Sequence, residues 1–518
     1  LEKHPPAGRD GRVLMIGLDA AEVTLVTKWI EDGSLPNLRA LRQRGAFGPL
    51  ASSADWLSAS PWPTFYTGTP PEEHGLYRYL VWRPETMTSE RPSPDWLPLQ
   101  PFWRRLGEAG RRVVAIDVPL TYPPEPFDGV EISGWATHEI LLRTGAHPPD
   151  LLREVYGRFG NPPFGVEPTY PLRADELLRI RDQWLETIRL VGDLGTALAR
   201  ERPWDLFLIC FCAAHRCGHQ LWDLTQMIGP ASAHEVEAVR GALKEIYVAC
   251  DGALGRLVET AGPETTVLVF ALHGMGENQS RSDLLPEMLR RVLAGPGAPA
   301  LGRLVRIAEP LRQKIPLRWR HGIKRHLPMA VQDRLTLFWR SGGIDWRSAP
   351  AFAMYADVEG HIRINLRGRE AQGWVAPGPE CEALCRRIED GLRSFVDEDT
   401  GEPVVEAIAR GEDLFGSGAR RASLPDLIVR WAPSAAARHR RIVSPDHGDI
   451  DWPTPGRHMQ GRSGNHRGTG FLLAAGGRIA PGARLARGHI LDLAPTAYAL
   501  LDLPVPTEFR GRPLFWGQ

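Results

Sequence analysis

Asp19 ends the aliphatic run Val13-Leu14-Met15-Ile16-Gly17-Leu18 abruptly. A continuous apolar run reads as a strand buried on both faces, as in a parallel sheet. An acid at its C-terminal end lies where open α/β sheets bind ligands. Burying that carboxylate is costly unless something positive pairs with it. Downstream, His215-Arg-Cys-Gly-His219 closely follows the run Leu206–Phe211. On a helix, an i, i+4 histidine pair faces one side and suits a single metal ion. His273, in Phe270-Ala-Leu-His-Gly-Met-Gly276, lies just past another apolar run, and His466, in Gly464-Asn-His-Arg-Gly-Thr-Gly470, just before one. One histidine in such a place is ordinarily structural. Four at successive strand ends, together with Asp19, point to a metal site. Ser58 and Ser60 precede Pro61 in a loop entering a helix, where backbone N–H groups face bound phosphate. Such a serine is either a nucleophile or only an N-cap.

These residues need a sheet to bring them together. Strand-like runs recur at Arg111–Asp117, Asp205–Phe211, Thr265–Phe270, Leu427–Arg430 and Gly470–Ala474, with helical patterns between them. One such helix is Pro36–Arg44, expected to close with Gly45 as its C-cap. The alternation predicts an α/β fold, a doubly wound and mostly parallel central sheet. We expect residues 10–278 to form the N-terminal part of the core and 347–518 the C-terminal part. The intervening 279–346 has a different composition. It holds Arg290, Arg291, Arg303, Arg306, Arg312, Lys314, Arg318, Arg320, Lys324 and Arg325, interleaved with Leu, Ile and Trp. It reads either as a solvated helical insertion or as a cap that attracts an anionic substrate.

The whole chain of 518 residues is 43% hydrophobic with a formal net charge of zero, enough for a large core and without an overall basic field. No nucleic acid polymer and no membrane is expected as a partner. Cys210, Cys212, Cys217, Cys381 and Cys385 read as packing residues, not a disulfide framework. No apolar span is long enough to cross a bilayer. The start lacks the apolar stretch of a signal peptide, so the expected location is cytoplasmic. Oligomeric state is open.

The order of motifs resembles the type I phosphodiesterase and nucleotide pyrophosphatase family of the alkaline phosphatase superfamily. The resemblance rests on Ile16-Gly-Leu-Asp19, Ser34–Leu38, Tyr66-Thr-Gly-Thr-Pro-Pro-Glu-Glu-His-Gly75, Gly360–Glu370, Leu424–Ile428, Leu491–Thr496, Leu500–Pro504 and Gly511-Arg512. It implies an alkaline phosphatase type of sheet and two metal ions, usually zinc. It also implies a Ser or Thr nucleophile that ligates metal. Counting back from Thr67-Gly68, that position falls on Ser58, with Ser60 as the fallback. Asp19 and His273 match ligands of one metal, His219 and His466 ligands of the other.

Two positions depart from the family pattern. His215 stands where the family has Asp, and Leu272 replaces Asp before His273-Gly274. His215 still ligates as neutral imidazole, so His215, His219 and His466 make a three-histidine site suited to catalytic zinc. The second site keeps Asp19, His273 and Ser58. One tightly bound zinc is therefore expected, with iron or manganese as alternatives, and a weak or vacant second site. His74 reads as structural and His138 as a supporting residue. Asp446-His447-Gly448 reads as a loop imitation of the family motif, or as a replacement for the lost carboxylate. The expected activity is metal-dependent hydrolysis of a small phosphodiester, phosphoanhydride, or related phosphate or sulfate ester through Ser58. The alternatives are a group transferase using the same seryl intermediate, a mononuclear redox centre, and a binding protein that has lost activity.

Overall fold

The computed structural model describes residues 11–137, 144–165, 167–294, 315–324, 326–340, 346–434, 436–458, 460–485, 487–514 and 516–517. His138, Arg303, Arg306, Arg312, Lys314 and Arg325 lie outside them.

A nine-stranded sheet forms the centre. In chain order its strands are β1 (Val13–Leu18), β2 (Gly45–Ala51), β3 (Val113–Ile116), β4 (Gly129–Ser133), β5 (Gly145–His147), β6 (Leu206–Phe211), β7 (Thr266–Ala271), β8 (Gly470–Ala475) and β9 (Gly488–His489). Across the sheet they run β9-β2-β8-β7-β1-β6-β3-β4-β5. The five from β7 to β4 are parallel, and β8 runs antiparallel to both of its neighbours. Every residue of β1, β6 and β7 is buried, which is why these strands read as unbroken aliphatic runs. The long helices Ala174–Glu201 and Ala233–Ala261 pack against each other. The second opens on a capping box between Ser232 and Glu235, which satisfies N–H groups that the helix leaves orphaned.

Register decides what meets at the sheet edge. Leu18 pairs with Phe211 and Gly17 with Phe270, so β1, β6 and β7 end side by side. Asp19, the helix carrying His215 and His219 (Ala213–Leu221), and His273 all leave from that edge. β8 runs the other way, with Phe471 opposite Ala271, and delivers the segment before Gly470 to the same edge.

The run at Leu427 is a strand, Leu427–Trp431, but not of this sheet. It sits in a four-stranded antiparallel sheet with Ala351–Met354, Gly360–Ile364 and Val405–Arg410. Together with helices Leu285–Ala294 and Pro379–Arg393 this sheet forms a second apolar core. The chain returns to the central sheet at Gly470. Gly45 does not cap the preceding helix, whose C-cap is Arg44. It is the first residue of β2, where a Cβ would lie 2.0 Å from the Ala474 carbonyl oxygen. Close strand approach, not a left-handed turn, requires glycine there.

Candidate metal centre

Three imidazoles converge at the sheet edge. His215 Nε2 lies 3.1 Å from His219 Nε2 and 2.9 Å from His466 Nε2. His215 and His219 stand one turn apart on the helix Ala213–Leu221. His466 comes from a short strand, Gly464–Arg467. This strand pairs antiparallel with Gly274–Glu277, setting His466 opposite Met275. The helix and this strand pair approach closely because glycines leave both faces bare. A Cβ on Gly464 would sit 2.2 Å from the Gly218 carbonyl oxygen.

The hydrogen bonds around the rings fix where their protons sit. His215 Nδ1 lies 2.6 Å from Asp19 Oδ2, and His219 Nδ1 lies 2.9 Å from the Gly464 carbonyl oxygen. An ionised carboxylate and a carbonyl only accept, so each Nδ1 carries the hydrogen. In neutral rings both Nε2 atoms are then bare lone pairs about 3 Å apart, an arrangement that favours a cation. Tetrahedral zinc with its usual bond lengths sets ligand nitrogens about 3.3 Å apart. The donor set fits zinc, and a neutral histidine backed by a carboxylate is the usual supporting arrangement of a ligating ring. Burial, Arg462 and the neighbouring His215 push His219 well below the ordinary imidazole range. Burial and the three neighbouring histidines do the same to His466. Both stay neutral and able to ligate near neutral pH.

Asp19 and His273 form the adjoining edge. Burial opposes ionisation of Asp19, but His215, His273 and Trp62 together hold its carboxyl well below the ordinary carboxylate range. Its Oδ1 accepts from Trp62 Nε1 at 2.8 Å and lies 3.6 Å from His273 Nε2. Both carboxylate oxygens thus have partners within the chain. Asp19 also lies behind His215, on the Nδ1 side, while the three Nε2 atoms face one another. A two-histidine, one-carboxylate centre needs its acid on the Nε2 side. Trp62 reaches Asp19 across Gly17, where a Cβ would stand 2.9 Å from the indole. The glycine inside β1 makes that passage. The His273 ring packs on His466 with centroids 4.5 Å apart, and Leu272 is fully buried in the main core.

Ser58 is buried in the loop before the helix Pro61–Thr67. It neighbours the carboxyl of Glu359 and acts to lower that group's pKa. Burial outweighs this and raises Glu359 to about 7. Ser60 Oγ lies 2.7 Å from both the Leu57 carbonyl oxygen and Ser53 Oγ, tying the loop together. His74 is buried between Thr64 Oγ1 and the Leu76 N–H. Asp446 sits exposed at the turn between strands Arg441–Ser444 and Gly448–Asp451.

Sequence reasoning missed a buried ionic chain beside the histidines. Glu167 pairs with Arg216 at 2.9 Å and with Arg462 at 2.8 Å. Arg462 lies 3.8 Å from Asp357, which also pairs with Arg78. Glu359 and Asp357 belong to the turn before Gly360–Ile364, where the sequence offers no strand-end signal. A charged residue every few positions is unremarkable in a sequence, and only burial marks these out.

Residues 13–333 match the family described as type I phosphodiesterase / nucleotide pyrophosphatase. No curated protein matches the chain. Among solved structures, phosphonoacetate hydrolase from Sinorhizobium meliloti 1021 in complex with phosphonoformate is similar at 14% identity. It has a TM-score of 0.50 and 95% of each chain covered. Murine ectonucleotide pyrophosphatase / phosphodiesterase 5 is similar at 12% identity, with a TM-score of 0.48 and 96% of each chain covered. The motifs at the strand ends, the central sheet and a family match over most of the chain agree: it belongs to the type I phosphodiesterase / nucleotide pyrophosphatase family, and is an enzyme of that kind.

Proposed function

We propose that this enzyme is a metal-dependent hydrolase of phosphodiesters, phosphoanhydrides or related esters, with Ser58 as nucleophile and one tightly held ion. The observation that carries this reading is the pair of bare Nε2 lone pairs on His215 and His219, with His466 closing the set. Zinc suits three neutral imidazoles, and when bound it supplies Lewis-acid polarisation of a phosphoryl oxygen. Leu272 in place of a carboxylate, and an Asp19 already engaged on both oxygens, favour one ion over two.

The chain's own residues do the rest. Ser58 Oγ attacks phosphorus in line while its proton passes to the Glu359 carboxylate. The bond to the leaving oxygen breaks, leaving a seryl phosphoester. Water then attacks that ester, and Glu359 returns the proton to Ser58 as the P–O bond opens. Buried Arg78 and partly buried Arg462 are cations that favour the phosphoryl anion. Asp19 holds His215 in the tautomer that leaves Nε2 free.

Elemental analysis of the purified chain is expected to give one zinc retained through dialysis. A screen of chromogenic phosphate and sulfate esters is expected to show turnover of a diester. Ser58→Ala is expected to keep the ion and to lower turnover on the order of a thousandfold. Ser60→Ala stays within a few-fold of the parent. Two retained ions, or full turnover by Ser58→Ala, overturns the proposal. Products shifting to conjugates when alcohols or amines are added identifies a transferase instead.

A further inference from the structure

Six of the nine exposed large hydrophobic side chains among the described residues fall between Ile315 and Leu335. This stretch holds two helices, Leu317–Lys324 and Met329–Arg340. Trp319 is 70% exposed and Ile323, one turn further on, 58%. Met329, Val331 and Leu335 are exposed on the second helix. Between Glu309 and Asp333 the sequence has no acid and six basic residues: Arg312, Lys314, Arg318, Arg320, Lys324 and Arg325. The zero net charge of the whole chain averages over this concentration. Monomeric soluble proteins rarely expose apolar side chains so densely without a partner for them.

The hairpin is anchored to the enzyme. Lys324 Nζ donates to Thr336 Oγ1 at 2.6 Å, joining the two helices. Arg91 forks onto Asp333 at 2.6 and 2.8 Å, and its guanidinium lies over the Tyr79 ring. The Tyr79 hydroxyl donates to that of Tyr355, and Arg78, which pairs with Asp357, covers the Tyr355 ring. A short run of side chains thus joins the hairpin to the ionic chain beside the histidines.

We infer that this hairpin is an interfacial anchor that binds the surface of an anionic phospholipid bilayer. Trp and aliphatic residues on short helices, flanked by Lys and Arg, gain from the headgroup boundary twice: apolar area leaves water, and the cations meet acidic lipid. A nucleic acid would answer the charge but not Ile323, Val331 or Leu335, which gain nothing from phosphates. A second copy of the chain would bring the same basic stretch of sequence against itself, since a two-fold interface repeats the same patch. No helix among the described residues is long and apolar enough to cross a membrane.

Flotation of the full chain with vesicles tests the inference. Co-migration is expected with phosphatidylcholine containing phosphatidylglycerol, little with phosphatidylcholine alone, and release as salt rises. The double variant Trp319→Ala/Ile323→Ser is expected to lose about tenfold or more in partitioning. Circular dichroism and thermal unfolding of this variant should match the parent, because both side chains are exposed. The anchor is overturned by any of three results: no binding to either vesicle, equal binding by the double variant, or a dimer in solution that the double variant abolishes in place of vesicle binding. Flotation reads binding alone, so it stands apart from whether any ester is hydrolysed.

Discussion

The three-histidine cluster and the Asp19–His273 edge are built from the same strand ends, yet they differ in what the chain leaves unsatisfied. At the cluster, His215 and His219 each spend Nδ1 on an acceptor and turn a bare Nε2 inward. At the edge, Asp19 spends one oxygen on His215 and the other on Trp62, and the neighbouring position is Leu272, buried in the core. One half is an open set of donors; the other is a carboxylate whose hydrogen-bonding capacity serves the first half. On the reading proposed above, Asp19 supports the cluster by lying against His215, which stands where the resemblance places an acid. The comparison also separates two acids at strand ends. Asp117, after β3, accepts from the Trp135 and Ala136 N–H groups and shapes a loop.

Removing a member of the open set should do most damage. His219→Ala is expected to lose retained zinc and to lower diester turnover on the order of a thousandfold or more. Metal content after dialysis, read beside turnover, tests it; a retained stoichiometric ion would erase the distinction between the halves.

The next effect falls on the serine. Glu359 is raised to about 7 by burial, so its proton-accepting carboxylate fills as pH rises through that value. Accordingly kcat/KM should climb with pH through about 7. Glu359→Gln is expected to lose on the order of a hundredfold and to flatten that limb. A pH profile identical to the parent's removes Glu359 from the reaction.

Asp19→Asn sharpens the division most directly. As a support for His215, its loss should weaken the tight ion about tenfold to a hundredfold, measured by competition with a chelator. Unchanged affinity would instead assign Asp19 to a separate second ion. The smallest effect is expected from Trp62→Phe, which leaves one Asp19 oxygen without its indole donor. Stability should fall by roughly 1.5–3 kcal/mol in chemical denaturation, with turnover within a few-fold. A large loss of zinc in that variant would show that the edge matters more to the cluster than its distance implies.

Much of this arrangement was legible before any coordinates. The abrupt end of β1 on Asp19, the i, i+4 spacing of His215 and His219, and glycine-flanked His273 and His466 are local patterns. Parallel strands bury both faces, which writes them as continuous apolar runs, and ligands at their ends break those runs conspicuously. The run at Leu427 was shorter than the others, and a sequence pattern carries no label for the sheet it joins. Leu427–Trp431 belongs to the second, antiparallel sheet.

By itself, then, the amino-acid order determined the class of fold, the family, and which imidazoles stand at strand ends, because periodicity and local spacing are written along the chain. Only the tertiary structure decided what each of those groups faces. Register between strands hundreds of residues apart set Asp19 behind His215, brought Glu359 to Ser58, buried Glu167 between Arg216 and Arg462, and left Trp319 and Ile323 in water. Burial and pairing are properties of neighbours in space, and neighbours in space are what a one-dimensional pattern does not contain.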